Sequence, residues 1–191
     1  MNTHNTLTGT LTLAPENAGS VTLGTFDPPG VTADLTRRVY RAGLYETAQL
    51  PHAMVIESLA HFTRYRSSVD GHGDATEMVL APDGNSGTYY NRQDRRSTAW
   101  QVSTTLSGFV AGLWGEHLIK GGVDVLHADY EGTHDMRPVA ILRQDGTLTR
   151  RLTTSPSRLT LHATDATAFI QDRWHIADRL LCEFGVRVER D

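Results

Sequence analysis

The sequence predicts an all-β fold made of about seven to eight antiparallel, up-and-down strands of a transmembrane β-barrel. Three observations predict it. Apolar and polar side chains alternate with a period of two, Gly, Pro, Asn and Asp cluster between the alternating runs, and short connections alternate with long ones. No long window repeats apolar residues with helical spacing. Outer-membrane barrels combine short turns on one rim with long loops on the other.

Composition narrows the classes of protein. The 191 residues suggest one domain, and the mean hydropathy of −0.35 fits a barrel, which turns only alternate residues toward lipid. No stretch approaches the roughly 18–20 apolar residues of a membrane helix. Lys and Arg total 18 against 22 Asp and Glu, so no nucleic-acid surface is indicated. The single cysteine, Cys182, is interpreted as a small apolar strand residue.

The alternating runs predict seven long strands. In the first, Leu7, Leu11 and Leu13 share one face and the intervening threonines share the other. In the last, which has the clearest alternation, Leu180 to Val188 at even positions oppose Glu183, Arg187 and Glu189. The predicted strands are 6–13, 35–49, 53–66, 88–111, 117–131, 158–174 and 179–190.

The middle strands follow the same rule. Each carries one face of mostly apolar side chains, and that face is expected to meet lipid. The shared-face residues are Tyr40, Ala42 and Leu44; Met54, Ile56, Ala60 and Phe62; Trp100, Val102, Leu106 and Val110; Ile119, Val123 and Val125; and Ala166, Ala168, Ile170 and Trp174.

The connections between strands are of two lengths. Residues 51–52, 113–114 and 175–178 make short turns, whereas 14–34, 67–87 and 132–157 make long loops. The first long loop contains Pro28-Pro29-Gly30, which breaks any strand. The last contains Asp145-Gly146 between two short runs, which predicts a hairpin turn.

Aromatic and charged residues fit a membrane barrel better than a closed soluble core. Trp114 and Trp174 lie at short turns and Trp100 near the opposite interface, the level that tryptophan prefers. The polar faces carry mid-strand charges at Glu57, Asp124 and Glu183, which a polar lumen tolerates. Tryptophans near turns also occur in soluble β-sandwiches, so a soluble β-sheet protein remains an alternative.

Histidines and acids invite a search for a metal site. His117, His127 and His134 lie in one region with Asp124, Asp129, Glu131 and Asp135, but only His127 and Asp129 are expected to share a strand face. We interpret the region as a solvated loop and expect no metal and no cofactor. The charge run of Arg92, Asp94, Arg95 and Arg96 is interpreted as a solvated strand extension rather than a ligand clamp.

Catalytic motifs are missing as well. Neither Gly-x-Ser-x-Gly nor His-Glu-x-x-His occurs in the sequence. We therefore expect no catalytic residues and no enzymatic activity.

The C-terminal stretch resembles TonB-dependent outer-membrane receptors. Phe169-Ile170-Gln171-Asp172-Arg173-Trp174, then Asp178-Arg179-Leu180 and Phe184-Gly185-Val186-Arg187-Val188-Glu189, is similar to that family's Phe-x-Gln-Asp-x-Trp strand, turn and Gly-x-Arg strand, with Val188 in place of the usual tyrosine. The segment Glu116 to Val125 is similar to the family's strand that begins His-x-x-Lys-x-Gly, which His117, Lys120 and Gly122 match. Asn91-Arg92-Gln93 and 132–138 resemble loops of receptors that carry a carboxypeptidase-regulatory-like extension. The resemblance covers roughly residues 53–191.

The resemblance implies a partial barrel, since family receptors have 22 strands. We expect residues 1–191 to be one partial outer-membrane barrel domain without a plug domain or a signal peptide, located in the outer membrane through its parent protein. The parent would import a solute with energy from the TonB system, and the chain alone would not transport. Its partners would be lipid, the remaining barrel and plug, and TonB, with no nucleic acid. A complete eight-stranded barrel serving as an adhesin or structural protein is the other alternative.

The same block suggests local interactions at the rim. Asp172 and Arg173 are expected to end a strand there, Trp174 to anchor the interface, and Arg179 to begin the partner strand. An ion pair among the charged residues would contribute about 0–1 kcal/mol.

Overall fold

The structure is a computed structural model that describes residues 4–112, 114–176 and 179–190. Within them the chain is almost entirely β, and its one helical segment is the 3-10 turn Pro29–Val31, which follows directly on Pro28. None of the described helical structure is long and apolar enough to cross a membrane. The strands are β1 (Asn5–Ala18), β2 (Ala33–Leu50), β3 (Met54–Gly71), β4 (Met78–Leu80), β5 (Ser86–Gly87), β6 (Asn91–Ala111), β7 (Glu116–Met136), β8 (Val139–Leu142), β9 (Leu148–Leu152), β10 (Ser157–Ile176) and β11 (Leu180–Arg190).

Seven strands form the main sheet in the order β1-β2-β3-β6-β7-β10-β11, and every neighbouring pair is antiparallel. The predicted count and up-and-down order are therefore confirmed. The first and last strands each have one neighbour, so the described sheet is open at both edges. Because the number of strands is odd, β1 begins near the rim of the short turns, whereas β11 runs toward the rim of the long connections.

The register sorts the side chains onto two faces, because directly paired residues point the same way. We call one the band face, since it carries a continuous apolar band, and the other the polar face. The band includes Leu44, Ile56, Ala60, Phe62, Trp100, Val102, Leu106, Ile119, Val123, Val125, Ala166, Ala168, Ile170, Val186 and Val188. The apolar faces predicted strand by strand are thus joined into one surface. Glu46 interrupts the band and accepts a hydrogen bond from the Asn5 amide at 2.9 Å.

The strands are longer than a bilayer requires. β2, β3, β6, β7 and β10 have 18 to 21 residues, about twice the 9–11 that span a membrane. On β3 the band runs from Met54 to Phe62, and Arg64, Arg66 and Ser68 then continue the same face. Half of each long strand therefore lies beyond the band, toward the rim that carries the long connections.

This extension corrects the predicted loop bounds. The predicted loops 14–34 and 132–157 shorten to 19–32 and 137–156. The predicted loop 67–87 shifts to 72–90, because β3 continues to Gly71 and β6 begins only at Asn91. Most of the residues gained by the strands are polar or glycine, and Pro15 lacks a donor, so side-chain alternation did not show these extensions. They pair because the backbone ladder continues past the apolar band, and Pro15 is tolerated because β1 is an edge strand.

The opposite rim has the short turns. His52 and Ala53 adopt left-handed φ values of 63° and 55° between β2 and β3. Gly112, Trp114 and Gly115 have φ values of 120°, 61° and 154° between β6 and β7. Leu113 and residues 177–178, which belong to two of the predicted short turns, lie outside the described residues.

Candidate functional site

The long connections fold against one another instead of forming separate loops. Residues 72–90 contribute β4 and β5, residues 137–156 contribute β8 and β9, and together they make a four-stranded sheet in the order β5-β4-β8-β9. The central contact is a parallel pairing of Met78 with Val139 and of Leu80 with Ile141. We call this small sheet the loop sheet.

A small apolar core holds the loop sheet to the first long connection. Val31, Met78 and Val139 are buried together, and Leu80, Tyr89 and Tyr90 pack against them. Since Val31 lies in residues 19–32, the core joins all three long connections. The result is a rim in which the three long connections pack together.

The predicted hairpin in the third connection is confirmed. β8 and β9 are antiparallel, and Gly146 takes a φ of 81° at the turn. Asp145 accepts hydrogen bonds from the Thr147 backbone at 3.0 Å and from its hydroxyl at 2.6 Å. These bonds to the ionised carboxylate hold the pKa of Asp145 below its usual value.

Polar contacts link the connections at their surface. Arg151 on β9 pairs with Glu77 at 2.8 Å, and the Asn85 amide donates to Asp27 at 2.7 Å. Arg137 donates to the carbonyl oxygen of Tyr89 at 3.2 Å. Partial burial raises the pKa of Tyr89, so its hydroxyl stays protonated at neutral pH.

His72 makes two contacts at this rim that depend on its protonation state. Its Nε2 lies 2.7 Å from an Asp34 carboxylate oxygen, and its Nδ1 lies 3.2 Å from the Pro29 carbonyl oxygen. Both partners accept hydrogen bonds, so the imidazolium form satisfies both. The bond to Asp34, followed by the bond to Pro29, raises the pKa of His72.

The polar face carries the charges that were predicted at mid-strand. Tyr45 donates to Glu57 at 2.8 Å, the Gln101 amide donates to Asp124 at 2.8 Å, and Gln171 donates to Glu183. Each carboxylate thus meets a neutral donor on a neighbouring strand. The polar face of the sheet therefore presents hydrogen-bonded charges rather than an apolar surface.

The three histidines considered for a metal site have separate partners. His117 lies 2.7 Å from Asp172, and His134 lies 3.1 Å from Asn91. His127 lies 2.7 Å from the Thr164 hydroxyl and 3.3 Å from Asp129, with which it shares the band face as predicted. Within the described ranges no group of three or more His, Cys, Asp or Glu side chains is arranged to hold a metal ion.

The charge run at the start of β6 is divided between the faces. Arg92, Asp94 and Arg96 lie on the band face beyond the apolar band, and Arg95 lies on the polar face. Asp94 pairs with Arg66 at 2.8 Å. The run is a strand extension, as predicted.

The tryptophans lie at both ends of the band. Trp100 lies at the end nearest the loop sheet, with its ring 5.7 Å from that of His127. Trp114 is exposed in a short turn, and Trp174 stacks on His117 at 5.2 Å near the same rim. The predicted positions of Trp114 and Trp174 near the short turns, and of Trp100 at the opposite end of the band, are therefore confirmed.

The predicted strand end at Asp172 and Arg173 is wrong, because β10 continues to Ile176. Asp172 bonds His117 on the neighbouring strand instead of an adjacent arginine. The backbone ladder with β7 and β11 runs past both charged residues, which is why the sequence alone misplaced the end.

The β8–β9 hairpin was predicted, but the loop sheet as a whole was not. Its other trace in the sequence is a pair of short apolar runs, Met78 to Leu80 and Val139 to Leu142. Three or four residues are too few to reveal a period, and a parallel contact across 60 residues has no local signature.

Comparison with known proteins supports the fold. No model of a protein family matches the chain, and no curated protein matches it. Among solved structures, the outer membrane transporter YddB from Escherichia coli is similar, with a TM-score of 0.64 and 13% identity. The similarity covers 98% of this chain and 25% of the YddB chain, so the chain spans about a quarter of that transporter. The chain has an all-β, antiparallel, up-and-down fold that it shares with part of an outer-membrane transporter.

Proposed function

We propose that the chain forms part of the barrel wall of a TonB-dependent outer-membrane receptor for solute uptake. The observation that carries the proposal is the two-faced sheet, with an apolar band on one side, hydrogen-bonded charges on the other and an ordered rim of long connections. The likeness to an outer-membrane transporter supports the location and the class. The motif at Phe169 to Trp174 favours the TonB-dependent type.

In this proposal the band face, the polar face and the two open edges of the sheet each contact something different. The band face contacts outer-membrane lipid, and the polar face contacts water and a plug domain. The open edges of β1 and β11 pair with the remaining strands of the barrel, because lipid does not tolerate unpaired backbone groups. The loop sheet contributes to ligand capture, and TonB supplies the energy to the complete receptor. The chain performs no catalysis and does not transport alone.

An immunoblot of native outer-membrane fractions tests the proposal. An antibody against residues 132–157 should detect a band several times larger than the 21.1 kDa of this chain. A band near 21.1 kDa that shifts on heating would instead indicate a free-standing small barrel. Recovery of the antigen in the soluble fraction would contradict both.

A receptor of the TonB-dependent type should also lose uptake when the coupling system is lost. Deletion of TonB in the host should abolish accumulation of the transported solute while the band stays in the outer membrane. Unchanged accumulation would show that the solute crosses the barrel without TonB, and the TonB-dependent part of the proposal would be wrong.

A further inference from the structure

Four arginines lie together on the band face, beyond the apolar band and on the side of the long connections. Arg38 on β2, Arg66 on β3 and Arg96 on β6 are direct neighbours in the register, and Arg64 lies one step closer to the band. We call these four residues the arginine patch. Adjacent strands lie about 4.8 Å apart, so three guanidinium groups share a strip about 10 Å wide.

The patch has too few counter-ions of its own. Arg66 pairs with Asp94 at 2.8 Å, whereas Arg38, Arg64 and Arg96 make no ion pair within the described residues. The Nε of Arg96 is enclosed and has no hydrogen-bond partner there. Like charges directly opposite each other on neighbouring strands destabilise a sheet, so this arrangement favours a bound anion.

The nearest other carboxylates on this face are already engaged. Glu131, which is paired in register with Arg96, bonds Arg158. Asp129 bonds His162 at 2.5 Å. Neither is therefore free to neutralise the patch fully.

A cleft within the patch has the chemistry of a phosphate site. It has a volume of about 210 Å³ and is lined by Thr36, Arg38, Arg66 and Ser68. All four side chains offer donors: two guanidinium groups and two hydroxyls. Arginine is favoured where phosphate oxygens are bound, because its planar fork donates two parallel hydrogen bonds.

The depth of the patch matches lipid headgroups. Tyr40, Phe62 and Trp100 are exposed at the edge of the apolar band, and tryptophan and tyrosine prefer the membrane interface. Arg66 and Arg96 lie four residues further along their strands than Phe62 and Trp100, which is roughly 13 Å along a strand and less along a tilted barrel axis. Guanidinium groups there reach the polar layer above the acyl chains.

We propose that the arginine patch binds the phosphate groups of lipopolysaccharide in the outer leaflet. This goes beyond solute uptake and rests on the proposed outer-membrane location. The patch faces away from the polar face and the lumen, so it takes no part in ligand passage. Phosphate binding by the cleft would anchor the receptor wall to the surrounding glycolipid.

Titration of the purified, detergent-solubilised full protein with diphosphorylated lipid A, followed by native mass spectrometry, tests the proposal. The variant R38Q/R96Q removes two arginines that make no ion pair and leaves the Arg66–Asp94 pair intact. Each basic side chain at a lipid surface contributes about 1 kcal/mol, so binding should weaken about 30-fold.

The matched control is R41Q/R95Q, which removes two arginines from the polar face of the same two strands. Both variants lose the same charge, but the control leaves the band face unchanged, so it should bind lipid A within about twofold of the unmodified protein. Fully dephosphorylated lipid A should bind the unmodified protein as weakly as the phosphorylated form binds R38Q/R96Q.

Three results would overturn the proposal. If both double variants bound lipid A equally weakly, the effect would come from the net charge of the protein and not from the arginine patch. If dephosphorylated lipid A bound the unmodified protein as tightly as the phosphorylated form, phosphate recognition would be excluded. Displacement of lipid A by excess inorganic phosphate would indicate a site for free anions. These binding results are independent of the immunoblot, so failure of the patch and failure of the proposed receptor can be told apart.

Discussion

His72 shows how a single side chain can connect two of the long connections. It follows β3, yet it bonds Asp34 at the start of β2 and the Pro29 carbonyl before it. Its backbone N–H also donates to the Thr32 carbonyl oxygen at 2.9 Å. Its partners lie about 40 residues away in the sequence, so no local pattern indicates them.

The raised pKa of His72 predicts a pH-dependent rim. The folded state favours the protonated imidazole, so its stabilising contribution is complete below the ordinary value of 6.5 and disappears as pH rises through the raised value. Limited proteolysis within residues 19–32 should therefore increase between about pH 5 and about pH 9.

The variant H72N is the control for this prediction. Asparagine does not titrate in this range, so cleavage should lose most of its pH dependence. An unmodified protein whose cleavage rate stays flat, or a variant with the same profile, would show that His72 does not control the rim.

Gly87 is required by the close approach of β4 and β5. Its φ is 86°, and an added Cβ would lie 2.2 Å from the Glu77 carbonyl oxygen. The substitution G87A should destabilise the loop sheet by about 1–3 kcal/mol, the range for a side chain held in this backbone region. Hydrogen exchange of residues 77–90 should accelerate accordingly.

Gly30 offers the comparison, because nothing lies within 4 Å of an added Cβ there. The substitution G30A should change the exchange of residues 77–90 little. If G87A exchanged as slowly as G30A, the tight β4–β5 contact would be contradicted.

Among the elements, the loop sheet owes its stability to a core shared between connections. The strands β4, β5, β8 and β9 have two to five residues each, too short to be stable alone. They are held by the parallel β4–β8 contact and by the buried Val31, Met78 and Val139. A substitution that destabilises one connection should therefore also destabilise the other two.

The substitution V139D tests this coupling. Val139 is 6% exposed, and an uncompensated charge there should cost the loop sheet about 3–5 kcal/mol. Protease cleavage should increase in residues 19–32 and 72–90 as well as in 137–156.

Leu148 on β9 supplies the matched control, since it is 54% exposed. The substitution L148D introduces the same charge into the same hairpin and should cost less than about 0.5 kcal/mol. Cleavage confined to 137–156 in V139D would mean that the connections are independent.

Across the whole molecule, the division into two faces determines what each side can contact. Val123 lies in mid-band between Thr104 and Ala168, and Ser103 lies one step away on the polar face beside Asp124. The two positions have similar depth but opposite directions. Substitutions at these two positions therefore distinguish a sheet that contacts lipid from a sheet that is soluble.

An arginine at each position tests the orientation. In the complete protein folded into lipid vesicles, V123R should lower the free energy of unfolding by about 2–4 kcal/mol, the cost of arginine on the lipid face at mid-bilayer. The variant S103R should change it by less than about 0.5 kcal/mol, since the new charge meets Asp124 and water. Equal costs would contradict the assignment of the band face to lipid.

The sequence by itself determined the strand count, the strand order along the chain and the apolar face of each strand. These features depend on period-two alternation and on turn residues, which are local. The positions of Glu57, Asp124 and Glu183 on the polar face followed from the same alternation.

Only the tertiary structure decided the strand ends, the loop sheet and the arginine patch. β3 continues to Gly71 and β7 to Met136 because partner strands extend the ladder where side chains no longer alternate. Val31, Met78 and Val139 meet across more than 100 residues, and Arg38, Arg66 and Arg96 become neighbours only through register. Backbone pairing between distant segments is set by the whole sheet, and so it leaves no periodic trace in a single sequence.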